Sequence, residues 1–459
     1  MTGCSRYHLN MSTNPTTEEL LRRYGGAVPR YTSYPTAVQF KGDFRPKTGD
    51  IPENAEVSIY VHIPFCRSLC SYCGCLTRVV HDDSPVNNYL AALDEEIGLL
   101  GSMTGYSLTA GHIHFGGGSP NLLSGEDIES LINLIDLNFD IRDGAEIAIE
   151  ADPRQMTAEK ARGYALAGVN RVSLGVQDFQ RETQLAINRI QPYSQVEACV
   201  GWLGDAGIDN INFDLMYGLP CQTEDTIADN VQKAVTLNPS RISVFGYAHV
   251  PWMRPHQKIL EKYSMPGPLE RFRQAQVARE AFLDKGYLGI GMDHFALPGD
   301  RLAVAAGNRE LRRNFQGYTT DRAKTLIGLG ISSISCLPGA FMQNTTSFKV
   351  YKEKLSLGDL PVEKGTYLTP EDIMRADVIE QLMCYFTVDA ADACRRHGFS
   401  EAHLAEDVAY LRQMEQDGIV ELDGSVVTIT ESGRPFVRSV CAAFDSYFEG
   451  AQNRHARAV

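Results

Sequence analysis

Residues 57–75 read Val57-Ser-Ile-Tyr-Val-His-Ile-Pro-Phe-Cys-Arg-Ser-Leu-Cys-Ser-Tyr-Cys-Gly-Cys75. Apolar residues alternate over the first seven positions, which is typical of a β-strand, and Pro64 ends that pattern. The loop that follows carries four of the chain's eleven cysteines. Thiolates packed this densely repel one another unless a metal ion or a cluster takes up their charge. The loop is therefore predicted to bind metal.

The cysteine spacing distinguishes two kinds of metal site. A structural zinc ion usually takes two separated pairs of ligands, and no second Cys-x2-Cys or His-x3-His follows Cys75. Cys66-x3-Cys70-x2-Cys73 instead supplies three soft ligands close together, which suits an iron–sulfur cluster. Three thiolates on four irons leave one iron open to a substrate or cofactor. A catalytic cluster is favoured, and zinc stays the alternative.

Length and charge exclude several classes of protein. The 459 residues suffice for one large domain and a smaller one, and the net charge of −14 argues against binding to nucleic acid. The first ten residues lack the apolar core of a signal peptide, and glycines, serines and Pro338 interrupt the apolar run 325–342. We expect no membrane span. An odd number of cysteines without a signal peptide indicates the reducing cytoplasm.

From Val57 onward, short β-branched runs alternate with helical patterns. Such alternation predicts parallel βα units, arranged as an open doubly wound sheet or as a partial barrel. The predicted strands are 57–63, 113–115, 146–149, 171–175, 210–216, 241–247 and 287–292. The predicted helices are 86–100, 124–137, 157–167, 193–206, 223–236 and 268–285.

Chemically useful residues follow these strands. In barrels the active site lies at the carboxyl ends of the strands, so this placement predicts one shared site. The residues are the four cysteines, Gly116-Gly117-Gly118, Glu150, Gln177, Asp214, Tyr247, His249, Asp293 and His294.

The pattern changes after about residue 350. Helical patterns over 369–386, 403–416 and 435–448 surround a hairpin, 419–430, that turns at Asp423-Gly424. This order predicts a small, mostly helical, winged-helix-like domain. Because it carries no dense basic face, we interpret it as a lid or scaffold rather than as a DNA-binding module.

Motifs along almost the whole chain resemble one family within the radical S-adenosylmethionine superfamily, the oxygen-independent coproporphyrinogen III oxidases. The resemblance starts with the cysteine loop and with Cys75, and it is highly specific. Its other motifs are Pro29-Arg-Tyr-Thr-Ser-Tyr-Pro-Thr-Ala37, His114-Phe-Gly-Gly-Gly-Ser-Pro120, Ile149-Glu-Ala-Asp-Pro153, Gly175-Val-Gln-Asp-Phe179, Asp214-Leu-Met-Tyr-Gly-Leu-Pro220, Gly291-Met-Asp-His-Phe-Ala296 and Asn314-Phe-Gln-Gly-Tyr-Thr-Thr320. The family usually has threonine at position 119, where this chain has serine.

The resemblance implies an α/β fold, a partial (β/α)6 radical-SAM barrel with the small C-terminal domain. The expected units are an N-terminal arm over the active site (1–50), the catalytic barrel (51–350) and the C-terminal domain (351–459). It also implies a [4Fe–4S] cluster on Cys66, Cys70 and Cys73, and two molecules of S-adenosylmethionine. The implied contacts of the cluster-bound molecule are Tyr60, Gly117, Glu150 and Ile334. Those of the second molecule are Tyr72, Gly118, Ser119, Gln177, Arg189, Asp214 and Ala248.

The implied catalytic residues are Tyr60, Cys75, Glu150, Arg30 and Gln316. In the family Cys75 is not a cluster ligand, although activity depends on it. Arg30, Arg312 and Arg313 are candidate partners for propionates. Two simpler interpretations stay open, in which Tyr72 only packs the loop and Glu150 only precedes a helix. His62, His249 and His294 would be ligands only in a haem carrier, since strand histidines more often lie satisfied in the core.

The implied reaction is the oxidative decarboxylation of coproporphyrinogen III to protoporphyrinogen IX in anaerobic haem biosynthesis. A 5′-deoxyadenosyl radical would start the conversion of the ring A and ring B propionates to vinyl groups. We expect a monomer served by a small electron-donor protein and an electron acceptor. The alternatives are a haem-binding trafficking protein and a haem-opening radical methyltransferase. Cys75 and the segment 31–37 argue against both.

Overall fold

The computed structural model of the protein describes residues 15–47 and 49–448. Its largest feature is a sheet of thirteen strands, in the order β1-β17-β16-β15-β14-β2-β5-β6-β7-β8-β9-β11-β10. The strands of the first half of the chain are β1 (Lys41–Gly42), β2 (Glu56–Ile63), β3 (Phe65–Cys66), β4 (Arg78–Val79), β5 (Thr109–Gly117), β6 (Ile141–Ala151), β7 (Arg171–Gln177), β8 (Ile211–Tyr217) and β9 (Arg241–Gly246). The remaining strands are β10 (Leu288–Ile290), β11 (His294–Ala296), β12 (Arg312–Asn314), β13 (Gly317–Thr319), β14 (Thr325–Leu329), β15 (Ile334–Leu337), β16 (Ala340–Asn344), β17 (Val362–Tyr367), β18 (Thr387–Asp389), β19 (Val420–Asp423) and β20 (Val426–Ile429).

The helices lie between these strands and in the C-terminal region. They are α1 (Thr17–Tyr24), α2 (Ser84–Met103), α3 (Gly125–Phe139), α4 (Ala158–Leu166), α5 (Arg181–Ala186), α6 (Tyr193–Asp205), α7 (Glu224–Thr236), α8 (Pro268–Asp284), α9 (Arg301–Gly307), α10 (Phe348–Ser356), α11 (Pro370–Tyr385), α12 (Ala390–Arg396), α13 (Ala405–Tyr410), α14 (Arg412–Gln416) and α15 (Val437–Cys441).

Strands β2, β5, β6, β7, β8 and β9 are parallel, and each pairs with the next strand of this series. A helix follows each of them, which confirms the predicted partial barrel of βα units. Side chains on one face of every strand and on the facing helices form one large apolar core, in which Ile59, Ile113, Val172 and Phe213 are almost fully buried. Parallel strands buried on one face by crossover helices place all their carboxyl ends at the same edge.

The sheet continues beyond the six units on both sides. Strand β14 adds in parallel to β2, and β15, β16, β17 and β1 follow it antiparallel. On the other side β11 pairs antiparallel with β9, and β10 follows β11. Among the described residues, the sheet therefore runs from β1 at one edge to β10 at the other.

The C-terminal region builds a second core from helices α11–α15 and the three-stranded sheet β18-β20-β19. The hairpin predicted at Asp423-Gly424 is present, which agrees with a winged-helix-like arrangement. The helix predicted over 403–416 is instead two short helices that meet at Leu411, whose ψ of −5° tightens the turn. The helix predicted over 435–448 contains only α15, flanked by 3-10 turns.

Arm residues pack into this second core. Tyr31 and Tyr34 are buried there, and the Tyr31 hydroxyl donates to Asp445 over 3.0 Å. Helix α1 begins with a capping box between Thr16 and Glu19, and its Tyr24 donates to Asp417 over 2.5 Å. The boundaries at 50 and 350 stay a prediction, and positions 1–14, 48 and 449–459 lie outside the described residues.

No helix in residues 15–47 or 49–448 is long and apolar enough to cross a membrane.

Candidate active site

The cysteine loop leaves the carboxyl end of β2 and is closed by its own backbone. The N–H of Arg78 donates to the carbonyl of Pro64 over 2.7 Å, and the N–H of Val80 donates to the carbonyl of Cys66 over 3.0 Å. Cys70 is buried, Cys66 and Cys73 are half-buried, and Cys75 is exposed. The loop therefore presents its thiols at the edge of the barrel where the parallel strands end.

Each of the three predicted cluster ligands has a polar group beside its sulfur. Ser119 Oγ lies 3.3 Å from Cys66 Sγ, and guanidinium nitrogens of Arg154 and Arg189 both lie 3.5 Å from Cys70 Sγ. A hydrogen bond from the Cys75 thiol lowers the pKa of Cys73 to about 6, against the opposing effect of burial. Burial raises the pKa of Cys66 to about 11, although the Ser119 contact opposes it. Because polar donors aimed at sulfur stabilise thiolate charge, the three side chains fit a bound iron–sulfur cluster.

A single metal ion fits less well. In the part of the chain that the structure describes, no group of three His, Cys, Asp or Glu side chains could hold one metal ion. A mononuclear zinc site needs its ligands to converge on one point. In a [4Fe–4S] cluster the thiolates bind different irons of one cluster, so their sulfurs lie farther apart than around a single ion.

The glycine loop after β5 packs directly on the cysteine loop. Gly117 has φ of +117°, and a Cβ there would lie 2.6 Å from the His62 ring. A Cβ on Gly118 would lie 2.6 Å from the carbonyl oxygen of Phe65. The amides of Gly118 and Ser119 donate to the carbonyls of Ile63 and Phe65, each over 2.8 Å. The loop needs glycine for close packing, and its amides already have protein partners.

Glu150, near the end of β6, is held by two residues of β5. Its Oε1 lies 3.1 Å from Nε2 of His114, and its Oε2 accepts from the N–H of Gly117 over 3.1 Å. Burial opposes ionisation, but these two contacts keep the pKa of Glu150 below its usual value. The Tyr60 ring stacks on His114 at 5.9 Å between centroids, and its hydroxyl lies 3.1 Å from Nδ1 of His62. Tyr60 and Glu150 thus meet beside the cysteine loop.

Three further predicted residues, Gln177, Arg189 and Asp214, lie on or against β7 and β8. Arg189 donates to the carbonyl of Gly175 over 2.6 Å, and a Cβ on Gly175 would lie 2.9 Å from the Gln177 amide nitrogen. Gln177 therefore folds back over its own strand, with φ of +66°. Asp214 stands opposite Gly175 in the register and accepts from Ser173 and Asn212. Burial, and then the charge of Glu150, raises the pKa of Asp214.

Tyr72, Ala248 and Ile334 approach this edge from other segments. Tyr72 packs against the small cluster that contains Ile187 and Tyr247, and Ala248 follows Tyr247. Ile334 is separated from Tyr60 by Gly328 of β14, where a Cβ would lie 2.6 Å from the Ile334 carbonyl oxygen.

Arg30 and Gln316 lie apart from the cysteine loop. The Arg30 guanidinium lies 5.9 Å from the centroid of the Phe245 ring. Gln316 is exposed at the tip of the β12–β13 hairpin, and the contact found for it is within its own turn, to Asn314. The structure does not bring Gln316 against the other predicted residues.

A cavity of about 1410 Å³ opens at the carboxyl end of β9. Helices α1 and α8 and the segment 431–438 form its walls, together with Ala248 and Asp293. Aliphatic and aromatic side chains line it together with cations and with the carboxylates of Glu18, Glu280, Asp293 and Glu431. The cationic residues of the lining are Arg22, Arg30, Arg271, Arg279, Arg434 and Arg438.

The three histidines considered as haem ligands each have a protein contact. His62 Nδ1 faces the Tyr60 hydroxyl, and His249 lies between the Tyr247 hydroxyl and Glu261. His294 Nδ1 lies 2.7 Å from Asp293 Oδ1. These contacts agree with the interpretation of the three as core or hydrogen-bonded residues.

Sequence reasoning gave no role to His114 or Arg154. His114 opens the motif His114–Pro120, and Arg154 directly follows Ile149–Pro153. Neither position follows from spacing alone, because both side chains reach sites on other strands or loops. Their adjacency to these motifs was the available signal.

The chain is similar to proteins whose family and structure are known. The Radical SAM superfamily model matches residues 60–234. The oxygen-independent coproporphyrinogen III oxidase of Bradyrhizobium diazoefficiens is 43% identical over 94% of this chain and 97% of its own length. That of Escherichia coli is 37% identical over 93% of this chain and 94% of its own. The solved structure of coproporphyrinogen III oxidase (HemN) from Escherichia coli, described as a radical SAM enzyme, superposes with a TM-score of 0.86 at 36% identity, covering 91% of this chain and 98% of that one. The chain therefore belongs to the oxygen-independent coproporphyrinogen III oxidase family of radical SAM enzymes.

Proposed function

We propose that this protein oxidatively decarboxylates coproporphyrinogen III to protoporphyrinogen IX. The observation that carries the proposal is the arginine-rich cavity of about 1410 Å³ at the carboxyl ends of β8 and β9. Pockets for small ligands usually measure about 300–1,000 Å³, so this one suits a larger molecule. Its cations suit a substrate with several carboxylates, and its apolar side chains suit pyrrole rings.

The cofactors are those of the superfamily. Cys66, Cys70 and Cys73 would hold the [4Fe–4S] cluster, and Tyr60, Gly117, Glu150 and Ile334 would surround the S-adenosylmethionine bound to it. When bound, these groups supply the one-electron chemistry that removes a hydrogen atom from the substrate. Glu150 is ionised at neutral pH and can accept from the ammonium or ribose hydroxyls of that molecule. Tyr60 shields it from water.

A second S-adenosylmethionine would bind the predicted site residues that the first molecule does not contact. Tyr72, Gln177, Arg189 and Asp214 lie on neighbouring elements beyond the first set. Gly118, Ser119 and Ala248 complete the proposed contacts. Two molecules match a reaction in which two propionates react.

Local cations would have to hold the anionic substrate in the cavity. A protein with a net charge of −14 repels a tetracarboxylate at long range, so local cations must outweigh that field. Arg30 lies on the cavity wall and would bind one propionate. Gln316, which does not line the cavity, would contact the substrate only from the tip of its hairpin. At the ring A and ring B propionates, the side chain loses a hydrogen atom from its β-carbon, one electron and carbon dioxide, and a vinyl group remains.

Cys75 would act as a thiol rather than as a cluster ligand. Its hydrogen bond to Cys73 raises the pKa of Cys75 well above the usual value, while that of Cys73 falls. The pair thus consists of one thiolate and one proton-bearing thiol. An exposed thiol beside the cluster can meet the reacting propionate.

The setting of the reaction is also part of the proposal. A small electron-donor protein would reduce the cluster, and a separate acceptor would take the electron that leaves each propionate. We infer a monomer, and we assign it to the cytoplasm because its many free thiols suit a reducing compartment.

Anaerobic reconstitution tests the proposal. The protein is loaded with iron and sulfide, reduced, and incubated with coproporphyrinogen III and S-adenosylmethionine. Mass spectrometry should find a product that has lost carbon dioxide and two hydrogen atoms from each of two propionates, and proton NMR should show new vinyl signals. Tight haem binding without turnover would instead identify a trafficking protein. Transfer of a methyl group to haem with ring opening would identify a methyltransferase.

A further inference from the structure

The sulfur of Cys70 lies between two guanidinium groups that share one carboxylate. Arg154 NH2 and Arg189 NH1 each lie 3.5 Å from Cys70 Sγ. Both also donate to Oδ2 of Asp152, over 2.7 Å and 3.0 Å. The exposed fractions of the side chains are 18% for Arg154 and 7% for Arg189 and Asp152. Two cations and one anion leave a net positive charge facing this sulfur.

Local structure fixes this group of four residues. Asp152 directly follows β6 and caps the 3-10 turn after it, because its Oδ1 accepts from the N–H of Arg154 over 2.9 Å. Asn121 accepts from the N–H of Asp152 and donates to its carbonyl, over 3.0 Å and 2.9 Å. With Asp152 held on both sides, the Arg154 guanidinium has little freedom to leave Cys70. The contact between Arg154 and Cys70 is therefore fixed by the local fold and does not depend on a mobile surface side chain.

We propose that Arg154 is a positioning residue that raises the reduction potential of the cluster through Cys70. The inference rests on the proposed function, in which Cys70 is a cluster ligand. Reduction adds one negative charge to the cluster and its thiolates. An N–H donor and a buried positive charge at a ligand sulfur stabilise the reduced form more than the oxidised form. Asp152 opposes this effect, because its carboxylate neutralises part of the guanidinium charge.

Arg154 suits this task better than Arg189. Arg189 also donates to the carbonyl of Gly175, so its guanidinium contacts β7 as well as Cys70. The side-chain contacts found for Arg154 are to Asp152 and Cys70. Substitution of Arg154 therefore changes the surroundings of the sulfur with the smallest effect on the rest of the site.

The experiment is an anaerobic potentiometric titration of the reconstituted full-length protein, followed by electron paramagnetic resonance of the reduced cluster. Arg154→Met should lower the potential by a shift equal to about a tenfold change in the reduction equilibrium constant, or about 59 mV for one electron. Arg154→Lys should lose only part of it, because lysine keeps the charge without the planar fork. Asp152→Asn should shift the potential in the opposite direction, since its amide retains the turn and removes the anion.

The control is Arg142→Met. Arg142 lies near the start of β6, the strand that ends at Ala151, and pairs on the surface with Glu56 over 2.6 Å. Its loss should leave the potential unchanged.

Two results would overturn the proposal. One is a reduction potential that is unchanged in both Arg154→Met and Asp152→Asn, or that shifts in the same direction in these two variants. The other is loss of iron in all three variants at this pair, which would give Arg154 a purely structural role. Wild-type protein that binds the cluster but forms no vinyl product would refute the proposed function alone, since the titration needs no substrate.

Discussion

The backbone N–H of Gly117 donates to Oε2 of Glu150 over 3.1 Å, so the carboxylate that ends β6 is held against the glycine loop that ends β5. His114 contacts the other oxygen of the same carboxylate. Burial alone would raise the pKa of Glu150, and these two contacts outweigh it. The result is a fixed anion beside the cysteine loop, suited to a cationic cofactor.

Glu150→Gln should weaken the binding of S-adenosylmethionine by about tenfold to a hundredfold. A charge-assisted hydrogen bond is typically worth about 1.5–3 kcal/mol, and glutamine retains the shape without the charge. Equilibrium dialysis of the reconstituted protein gives the dissociation constant, and iron analysis should show an intact cluster. The exposed Glu129→Gln on α3 is the matched control. Equal affinity in Glu150→Gln and wild type would remove Glu150 from the cofactor site.

Substitutions in the cysteine loop should distinguish the three cluster ligands from Cys75, which we propose is not a ligand. Cys66→Ala, Cys70→Ala and Cys73→Ala should each lose the brown colour and most of the iron. Cys75→Ser should keep both and lose decarboxylation, because three thiolates suffice for the cluster. Iron content and product formation are measured on the same anaerobic samples. Loss of iron in Cys75→Ser would make Cys75 a ligand.

Glu96 should make folding stability depend on pH. Burial raises the pKa of Glu96 to about 7, although Tyr351, Gly330 and Asn344 all donate to it. The folded protein therefore binds one more proton than the unfolded chain between about pH 5 and 7. Its free energy of unfolding should fall by about 2–3 kcal/mol as the pH rises from 5 to 8.

Denaturant titrations of wild type and Glu96→Gln over that range isolate this contribution, because glutamine does not titrate. The free energy of unfolding of wild type, minus that of Glu96→Gln, should fall as the pH rises over this range. Glu95→Gln, the exposed neighbour on α2, should follow the wild-type curve. Parallel curves for wild type and Glu96→Gln would show that Glu96 carries no extra proton in the folded state.

The barrel was predictable because its signals are local. Alternating apolar residues such as Val57, Ile59 and Val61 mark a strand, and caps such as Thr157 mark a helix start. Each parallel strand then needs a crossover helix, so the order of the sheet follows from the order of the chain. Residues of nearby strands, such as Glu150 on β6 and Asp214 on β8, therefore come close enough for the charge of one to affect the other.

The additions to the barrel depend on long-range packing that periodicity does not encode. Strand β17 joins the same sheet from beyond residue 350, and Tyr31 enters the C-terminal core from the opposite end of the chain. The contacts of Arg154 with Cys70 join residues 84 positions apart. Pairings of this kind require the folded surfaces themselves.

The last prediction concerns Arg30 and the two arginines that hold its backbone. Arg313 Nε and NH2 donate to the carbonyls of Tyr31 and Arg30 over 3.3 Å and 3.4 Å, and Arg438 Nε donates to the carbonyl of Pro29 over 2.9 Å. These contacts indicate that Arg313, interpreted from sequence as a propionate partner, holds the arm in place. Arg30 itself directs its guanidinium toward Phe245 and the cavity.

Substitutions should distinguish the two roles. Arg30→Ala should raise KM for coproporphyrinogen III by about tenfold to a hundredfold and leave the arm resistant to limited proteolysis, and Arg30→Lys should recover part of the loss. Arg313→Ala should raise KM as well, but with faster cleavage of the arm, because two backbone contacts are lost. The exposed arm variant Arg45→Ala should change neither quantity. Unchanged KM in Arg30→Ala would exclude Arg30 from the substrate site, and an equally protected arm in Arg313→Ala would show that Arg313 does not hold it.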